Sequence, residues 1–542
     1  MKKTTIILLL FAGIIFSNAR AQDITMYRLI LSDKGDAGYS VDRPEEFLSQ
    51  KSIERRQKQN LAVNETDLPI DPAYFTRLED LGAKVRTYSK WVQTIVVDVE
   101  DESILSNIRS LSFVEDLYPV WRGRVWGEPV ETIIDDDPPG EPEEIELPIT
   151  LDDYGYSQTQ NNIFNSLPLH NEGYFGGGIS VALMDGGYLN TDRVLHFDQE
   201  RIKEVKNFTH EYGDPLKGSQ DHGTAVLSCI LTNTRGIMIG TAPHADFYLY
   251  KTEVNGSEYP IEEDYWVAAV EYADSLGIDI ISTSLGYATF DDPTMNHTHA
   301  QLDGQTVPSS RAASMIASKG MILCHSAGNS GNKEWQRVNV SADASDILTV
   351  GAVQASGEVS SFSSWGYTVD NRVKPDVMAM GSMVWVIDGH GFNVSSGTSA
   401  SCPLMAGMTA CLWQALPHLT SYQIMDLIRR SADRYDNPNQ YYGYGIPDFH
   451  QAYLAGKDIT PIEEIDRTDC MWIDPVNNII HIRESCFNGG VVNLSIYTPM
   501  GSRALSRASA ATEVDVSRLA PGMYIAFLQW NDVHIVKKFI RR

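Results

Sequence analysis

The sequence predicts an α/β protein whose central part is a doubly wound, mostly parallel sheet. A small α+β domain precedes this part, and a small all-β sandwich module follows it. Three observations lead to the prediction. Short apolar runs alternate with helical segments between about residues 178 and 456, strand and helix patterns mix between residues 26 and 120, and short strands separated by turn residues fill residues 470–542.

Composition limits the function classes. The chain has 542 residues, a formal net charge of −28 and 43% hydrophobic residues, which is typical of a multidomain globular protein. So large an acidic excess is repelled by phosphate backbones, and we therefore expect no nucleic-acid partner. Six cysteines in this length exclude a disulfide-dense scaffold, and no CxxC pair suggests zinc.

Residues 1–21 are predicted to be a secretory signal peptide. Lys2 and Lys3 precede a short apolar run, and Ala19 and Ala21 fit a signal-peptidase site, so the mature chain would begin at Gln22. The alternative is a membrane anchor, but the run is shorter than the roughly 20 apolar residues that span a bilayer. A secreted or cell-surface protein is the expectation.

Residues 22–126 are predicted to form the small α+β domain. Residues 27–31 and 94–99 have strand patterns, and residues 75–81 and 104–111 have helix patterns. The stretch that follows, residues 127–165, is an acidic, proline-rich linker. Eleven acidic residues and five prolines lie between residues 128 and 153, so we expect an extended and protease-accessible chain there.

Residues 166–456 carry the α/β pattern. Apolar strands are predicted at 179–184, 247–250, 278–282, 321–325 and 347–350, with helices at 225–231, 262–276 and 310–319. Ligands of such sheets bind where the strands end, so residues just after each strand matter most. A linker at 457–469 then leads to the β-module at 470–542, which has strands at 491–497, 513–516, 523–528 and 533–540.

Four polar side chains follow strands or open helices of the predicted sheet. Asp185 ends the first apolar strand, His222 starts a helix, Asn329 follows a later strand, and Ser399 leads into the helix that ends near residue 416. Hydrolysis of an amide needs a nucleophile, a base and an acid that orients the base, which serine, histidine and aspartate supply. An asparagine amide and the N–H groups at a helix N-terminus can bind the developing oxyanion. Each motif alone is common, and the combination is what favours catalysis.

The order of these motifs resembles that of the subtilisin-like serine peptidases, the subtilase family. Residues 397–407 (GTSASCPLMAG) are similar to the serine motif, residues 222–224 (HGT) to the histidine motif and residues 327–329 (AGN) to the oxyanion segment. Two departures are the pair Leu227 and Ser228, where alanine and glycine are usual, and Gly186 with Tyr188 after the aspartate.

The resemblance implies a secreted serine endopeptidase with Asp185, His222 and Ser399 as a triad that works through an acyl-enzyme, and with Asn329 in the oxyanion hole. It also implies substrate binding along Ser284, Leu285 and Gly286, and protein or peptide substrates. Two alternatives remain: a catalytically silent surface protein that keeps the fold, and a sedolisin-type acid peptidase, which would carry a glutamate in place of His222.

The same resemblance implies a role for each of the two flanking domains. The N-terminal domain resembles a propeptide, an intramolecular inhibitor removed by self-cleavage, with a retained accessory domain as the alternative. The C-terminal module resembles the sorting domains of Bacteroidetes proteins exported by the type IX system, with a plain β-sandwich as the alternative. The partners implied are the chain's own propeptide and that secretion machinery.

The remaining predictions concern cysteines and cofactors. Cys229, Cys324, Cys402 and Cys411 lie in apolar segments and are expected to be buried, whereas Cys470 and Cys486 are candidates for a disulfide. No carboxylate run has a recognisable metal-ligand spacing. Calcium stabilises many subtilases, but we assign no calcium ligands and no other cofactor.

Overall fold

The computed structural model describes residues 23–124, 145–211, 213–459, 471–474, 478–482, 492–498, 503–509, 513–530 and 533–541. Contacts divide the chain into two units, residues 1–459 and 460–542. The predicted signal peptide and the cysteine pair of the tail, Cys470 and Cys486, lie outside the described residues.

The N-terminal part of the first unit is a four-stranded antiparallel sheet with the order β2-β3-β1-β4. Period-two alternation gives it two apolar faces, of which one packs on α2 and α3 and the other on a helix of the central part. Its elements are β1 (Asp23–Leu31), α1 (Gln50–Lys58), α2 (Pro72–Asp80), β2 (Lys84–Ser89), β3 (Thr94–Val99), α3 (Leu105–Arg109) and β4 (Val114–Arg124).

The central part is built on a seven-stranded sheet with the order β15-β12-β11-β10-β5-β9-β6, in which every neighbouring pair is parallel. The doubly wound sheet is therefore confirmed. Its strands are β5 (Ser180–Asp185), β6 (Ile202–Asn207), β9 (Asp246–Lys251), β10 (Ile280–Thr283), β11 (Ile322–Ser326), β12 (Leu348–Val353) and β15 (Val377–Met380). Three hairpins pair β7 (Asn233–Thr234) with β8 (Met238–Ile239), β13 (Gly366–Tyr367) with β14 (Val373–Lys374), and β16 (Val384–Asp388) with β17 (Gly391–Ser395).

Helices cover both faces of this sheet. Alternate residues of β5 point to opposite sides: Val181 and Leu183 join the core under α6 and α9, and Ala182 and Met184 join the core under α7 and α8. Burial on both faces explains why these strands are continuous apolar runs. The helices are α4 (Gln158–Asn162), α5 (Leu167–Asn171), α6 (His222–Leu231), α7 (Ile261–Leu276), α8 (Pro308–Met315), α9 (Thr398–Ala415), α10 (Ser421–Arg430) and α11 (Phe449–Lys457).

The described part of the predicted linker, residues 145–165, is packed rather than extended. Ile149 and Tyr154 are 2% and 0% exposed and contact Phe175 and Ile239. The Tyr154 hydroxyl bonds to Nδ1 of His170 at 2.7 Å. Burial of these apolar side chains in a core stabilises the packed segment more than its acidic, proline-rich sequence favours an extended chain.

The second unit consists of two antiparallel sheets, with the orders β18-β19-β22 and β21-β20-β23-β24. Side chains from both sheets share one apolar core, which includes Leu494, Ile496 and Val514. The strands are β18 (Met471–Asp474), β19 (Ile479–Ile482), β20 (Val492–Tyr497), β21 (Arg503–Ser509), β22 (Glu513–Asp515), β23 (Gly522–Trp530) and β24 (Val533–Arg541).

Helix α7 is the surface on which the N-terminal sheet rests. Val120 and Trp121 of β4 pack against Ile261 and Tyr265 of α7. Charged pairs surround this contact, and they are buried. Arg28 binds Asp264 at 2.7 Å, and Arg55 and Arg56 bind the two oxygens of Asp274 at 2.5 and 2.8 Å. The interface is thus fixed by satisfied ion pairs as well as by apolar packing.

Candidate active site

Asp185 is the last residue of β5, at the carboxyl edge of the parallel sheet. The side chain is 0% exposed. Its Oδ1 accepts hydrogen bonds from Nδ1 of His222 at 2.8 Å and from the backbone N–H of Gly186 at 2.7 Å. The carboxylate therefore fixes the imidazole in the tautomer that carries its proton on Nδ1 and leaves Nε2 as the basic atom.

His222 is the first residue of α6. The helix start is tied to the end of β5, because the N–H of Gly223 donates to the carbonyl of Gly187 at 3.0 Å. The His222 side chain is 44% exposed, so one edge of the ring faces solvent while the Nδ1 edge faces Asp185. The negative charge of Asp185 raises the pKa of His222 above its usual value, against the opposing effect of burial.

Ser399 is the second residue of α9, where backbone N–H groups have no partner inside the helix. Gly397 precedes it and allows a close approach. A Cβ on Gly397 would lie 2.9 Å from Oγ of Ser399 and 3.3 Å from Nδ2 of Asn329. The serine hydroxyl and the asparagine amide therefore border the same small space, which a side chain at residue 397 would fill.

Asn329 follows β11 and is oriented by the residue before the serine. Its Oδ1 accepts hydrogen bonds from the N–H of Thr398 at 2.8 Å and from Oγ1 of Thr398 at 3.1 Å. Thr398 Oγ1 also accepts a bond from the N–H of Gly328 at 3.0 Å. Because the amide oxygen is occupied, the amide NH₂ group is the part of Asn329 that is available to a ligand.

The segment Ser284–Leu285–Gly286 directly follows β10, next to β5 in the sheet. The Ser284 hydroxyl donates to the carbonyl of Ser399 at 3.0 Å, and the carbonyl of Leu285 accepts a bond from Ser326 Oγ at 2.9 Å. The segment is thus held beside the serine helix. This position at the cleft edge is what a segment that binds an extended peptide needs.

The structure joins these residues in two groups. Asp185 and His222 form one, and Ser284, Asn329 and Ser399 form the other around the N-terminus of α9. Within the described part of the chain, no hydrogen bond links Ser399 Oγ to His222. Nucleophile–base contacts of ligand-free sites are often longer than in the complex with substrate, so the lack of this bond is compatible with a serine–histidine pair.

The two unusual motif positions have structural partners. The hydroxyl of Tyr188, which is 0% exposed, donates to the carbonyl of Leu183 at 2.7 Å. Ser228 Oγ accepts a hydrogen bond from the N–H of Ile387 at 2.8 Å and so connects α6 to β16. Both substitutions add a bond rather than disturb the strand and helix that carry Asp185 and His222.

Sequence reasoning missed an acidic group beside the site. Glu253 follows β9, and its Cβ would lie 3.8 Å from a Cβ on Gly186. Burial, followed by the charge of Glu258, raises the pKa of Glu253 to about 8, and Tyr287 donates to its carboxyl at 2.8 Å. Glu253, Glu258 and Glu262 form the one group of possible cation ligands among the described residues. The position of these glutamates after the parallel strand β9 is the sequence signal that could have identified the group.

The four cysteines predicted to be buried are buried and free. Cys402 lies three residues after Ser399, but its thiol is directed at the carbonyl of Thr283, at 3.4 Å. Burial raises the pKa of this thiol to about 12. A thiol in this state does not compete with the serine hydroxyl as a nucleophile.

Comparison with known proteins identifies three regions. Residues 176–445 match the subtilase family, residues 26–125 match the peptidase S8 propeptide domain of Bacteroidota, and residues 473–542 match the secretion system C-terminal sorting domain. The sorting domain and the propeptide domain indicate a secreted or cell-surface protein. No helix in the described ranges has the length and apolar character that crossing a membrane requires.

Several relatives with similar sequences are bacterial proteases. Subtilisin E of Bacillus subtilis (strain 168) is 29% identical over 297 residues, which is 54% of this chain and 69% of the relative. The thermostable alkaline protease of Halalkalibacterium halodurans is 29% identical over 291 residues, 53% of this chain and 70% of the relative. Among solved structures, MycP1 from Mycobacterium smegmatis is 19% identical, with a TM-score of 0.44 over 61% of this chain and 95% of that one.

A doubly wound sheet with these matches defines the class of the protein, which is a serine endopeptidase. The chain contains a subtilase-family peptidase domain, and it carries an N-terminal propeptide domain and a C-terminal sorting tail in addition.

Proposed function

We propose that Ser399, His222 and Asp185 form the catalytic triad of this peptidase and cleave peptide bonds through an acyl-enzyme intermediate. The observation that carries the proposal is the 2.8 Å bond between Asp185 and Nδ1 of His222, at the edge of the sheet where α9 presents the hydroxyl of Ser399. A buried carboxylate that fixes a solvent-facing imidazole is the arrangement that a general base requires.

In this mechanism Ser399 Oγ attacks the scissile carbonyl and His222 Nε2 takes the hydroxyl proton. The oxygen that gains negative charge meets the amide of Asn329 and the N–H of Ser399. Collapse of the intermediate breaks the C–N bond, and His222 gives its proton to the departing amine. Water then attacks the acyl-enzyme with His222 again as base, and the free serine returns.

Labelling with a fluorophosphonate tests the nucleophile. We expect a mass increase of one phosphonyl group on the mature enzyme and no labelling of Ser399→Ala. Labelling that persists in Ser399→Ala would contradict the assignment. The catalytically silent alternative predicts no labelling of either protein, and the comparisons do not favour it.

The N-terminal domain is an intramolecular inhibitor in this proposal, with residues 22–126 as the inhibitor and residues 166–456 as the peptidase. The position of the end of β4 supports this inhibitory role. Trp121 lies 6.5 Å from Tyr259, between ring centroids, and Arg122 binds Asp292 at 3.1 Å. Tyr259 and Asp292 belong to loops that follow β9 and β10, so β4 ends at the edge of the sheet that carries the site.

Maturation provides the test. Wild-type protein should convert to a form that begins between about residues 120 and 167, and Ser399→Ala should keep its N-terminal domain when it is made without other proteases. Intact mass and N-terminal sequencing distinguish these forms. A fully active enzyme that retains the domain covalently would show a permanent accessory domain instead.

We further propose that a signal peptide starts export and that the type IX system recognises residues 470–542. The match to a sorting domain supports this step. In a host that has the system, deletion of residues 470–542 should leave the peptidase in the periplasm, as measured by cell fractionation and immunoblotting. Unchanged appearance of the deleted form outside the cell would contradict the proposal.

A further inference from the structure

A cavity of about 430 Å³ lies between the β16–β17 hairpin and the loop that follows β5. Its walls include Val194, Leu195, Ile387 and Phe392, together with His196 and His390. Leu195 and Phe392 are 55% and 41% exposed and line the same cavity, so together they form an exposed apolar patch. The volume is within the range of ligand pockets, and the apolar side chains share the lining with polar and charged residues that include Asn190, Arg193 and Asp388.

The cavity is attached to the helix that begins with His222. The N–H of Ile387, in one wall, donates to Ser228 of α6 at 2.8 Å. Gly389 lies so close to the residue before His222 that a Cβ on it would be 3.1 Å from Cβ of Asp221. Its carbonyl accepts a hydrogen bond from Asn190 at 2.9 Å. The cavity therefore lies beside the N-terminus of α6, the end of the helix that carries His222.

The proposed reaction determines which part of the substrate lies on the His222 side of the site. His222 must reach the nitrogen of the departing amine to protonate it, so the part of the substrate that follows the scissile bond leaves past His222. The part that precedes the bond stays attached to Ser399, next to the segment Ser284–Leu285–Gly286. The cavity thus lies along the route of the departing portion.

We propose that this cavity binds an apolar, aromatic side chain of the substrate portion that follows the scissile bond. The inference rests on the proposed catalytic function. The Phe392 ring is already positioned by neighbours, with centroids 5.1 Å from His196 and 5.4 Å from Tyr156. A wall that is ordered in advance lowers the entropic cost of binding, and ring–ring contacts add to the gain from burial.

The test uses mature enzyme and quenched fluorescent peptides. Phenylalanine is placed in turn at each of four positions after the scissile bond, with serine as the reference residue. The peptide with serine at all four positions reports the chemistry without placing an aromatic group on the departing side. The variants are Leu195→Asp and the matched control Leu454→Asp, because Leu454 of α11 is 42% exposed and lies outside the cavity.

Wild type and Leu454→Asp should both favour phenylalanine over serine at one of the four positions. In Leu195→Asp, we expect kcat/KM for that phenylalanine peptide to fall about tenfold relative to kcat/KM for the all-serine peptide. Failure of wild type to cleave any of these peptides would defeat the proposed function itself.

Three results would overturn the inference while leaving the function intact. The first is no phenylalanine preference in wild type, and the second is a preference that Leu195→Asp retains. The third is a wild-type dimer in sedimentation that Leu195→Asp dissociates, because the occupant of the cavity would then be a second copy of the chain.

Discussion

Asp185 and Asp274 are carboxylates of the same unit, and both are fully buried, yet their partners differ. Asp274 gives both oxygens to arginines, Arg55 and Arg56, across the interface with the N-terminal domain. Asp185 gives one oxygen to His222 and to a backbone N–H, and its Oδ2 has no hydrogen-bond partner in the described part of the chain. Both oxygens of Asp274 therefore have hydrogen-bond partners, whereas only one oxygen of Asp185 has them among the described residues.

The difference in partners distinguishes Asp274, whose charge has a structural role, from Asp185, whose charge has the proposed reactive role. Arginine does not lose its proton in proteins, so the charges at Asp274 are constant. Although burial acts to raise the pKa of Asp274, Arg55 and Arg56 hold it below its ordinary value. Histidine gains and loses a proton near neutral pH, so the partner of Asp185 remains free to transfer protons.

The largest effect is expected at Ser399, the proposed nucleophile. Ser399→Ala should lower turnover on the order of 10⁶, the loss known for the corresponding change in subtilisin, because no other hydroxyl occupies its position. The assay is hydrolysis of a peptide arylamide by mature enzyme. Ser318→Ala, a change at an exposed serine outside the site, is the control. Near-normal hydrolysis by Ser399→Ala would show that another residue is the nucleophile.

Asp185→Asn should lower turnover by about 10⁴, because the amide no longer stabilises the protonated imidazole or fixes its tautomer. The same change has a pH signature. Asp185 raises the pKa of His222, and activity requires neutral His222, so activity increases as pH rises through that pKa. Without the carboxylate this pKa falls, and the acid limb of the kcat/KM profile should move to lower pH. An unmoved limb would mean that His222 is not the titrating base.

At Asp274, we expect a loss in the free energy of unfolding. Asp274→Asn leaves the buried Arg55 without its counter-charge and removes one of the two carboxylate partners of Arg56, which keeps Asp67. Breaking a buried ion pair in this way costs about 3–5 kcal/mol. Urea unfolding of the full chain, in the Ser399→Ala background to prevent self-cleavage, measures this loss. Asp426→Asn is the control, because Asp426 pairs with Arg430 at the surface and contributes less than about 1 kcal/mol. Equal losses for both variants would remove the distinction between the two regions.

The smallest effect is expected at Asn329. Asn329→Ala should reduce turnover by roughly 10² to 10³ with little change in substrate binding, because its amide meets charge only in the transition state. Steady-state kinetics on the arylamide separate kcat from KM. A change confined to KM would make Asn329 a residue that shapes the loop rather than one that stabilises the oxyanion.

The sequence was informative where burial is two-sided. Strand β3 has the predicted bounds, and β5 ends at Asp185 and α6 begins at His222, where the apolar runs and the polar residues after them place these elements. Strand β6 was missed because it lies at the sheet edge and its sequence IKEVKN lacks an apolar run.

Long-range pairing was also out of reach from the sequence. The bond between Arg56 and Asp274 joins residues 218 positions apart, and no local pattern marks either as buried. Glu253 approaches Gly186 only because β9 lies next to β5 in the sheet, although their sequence positions are distant. In both cases sheet order and domain packing, rather than local propensity, bring the groups together.

Thr398 holds Asn329 through two hydrogen bonds and is joined to Ser399 by a peptide bond. Thr398 is therefore the shared attachment point of the proposed nucleophile and the proposed oxyanion donor, through a peptide bond to one and hydrogen bonds to the other. A change at this residue acts on the positions of both groups at once, whereas a change elsewhere in the loop after β11 reaches Ser399 only through Thr398.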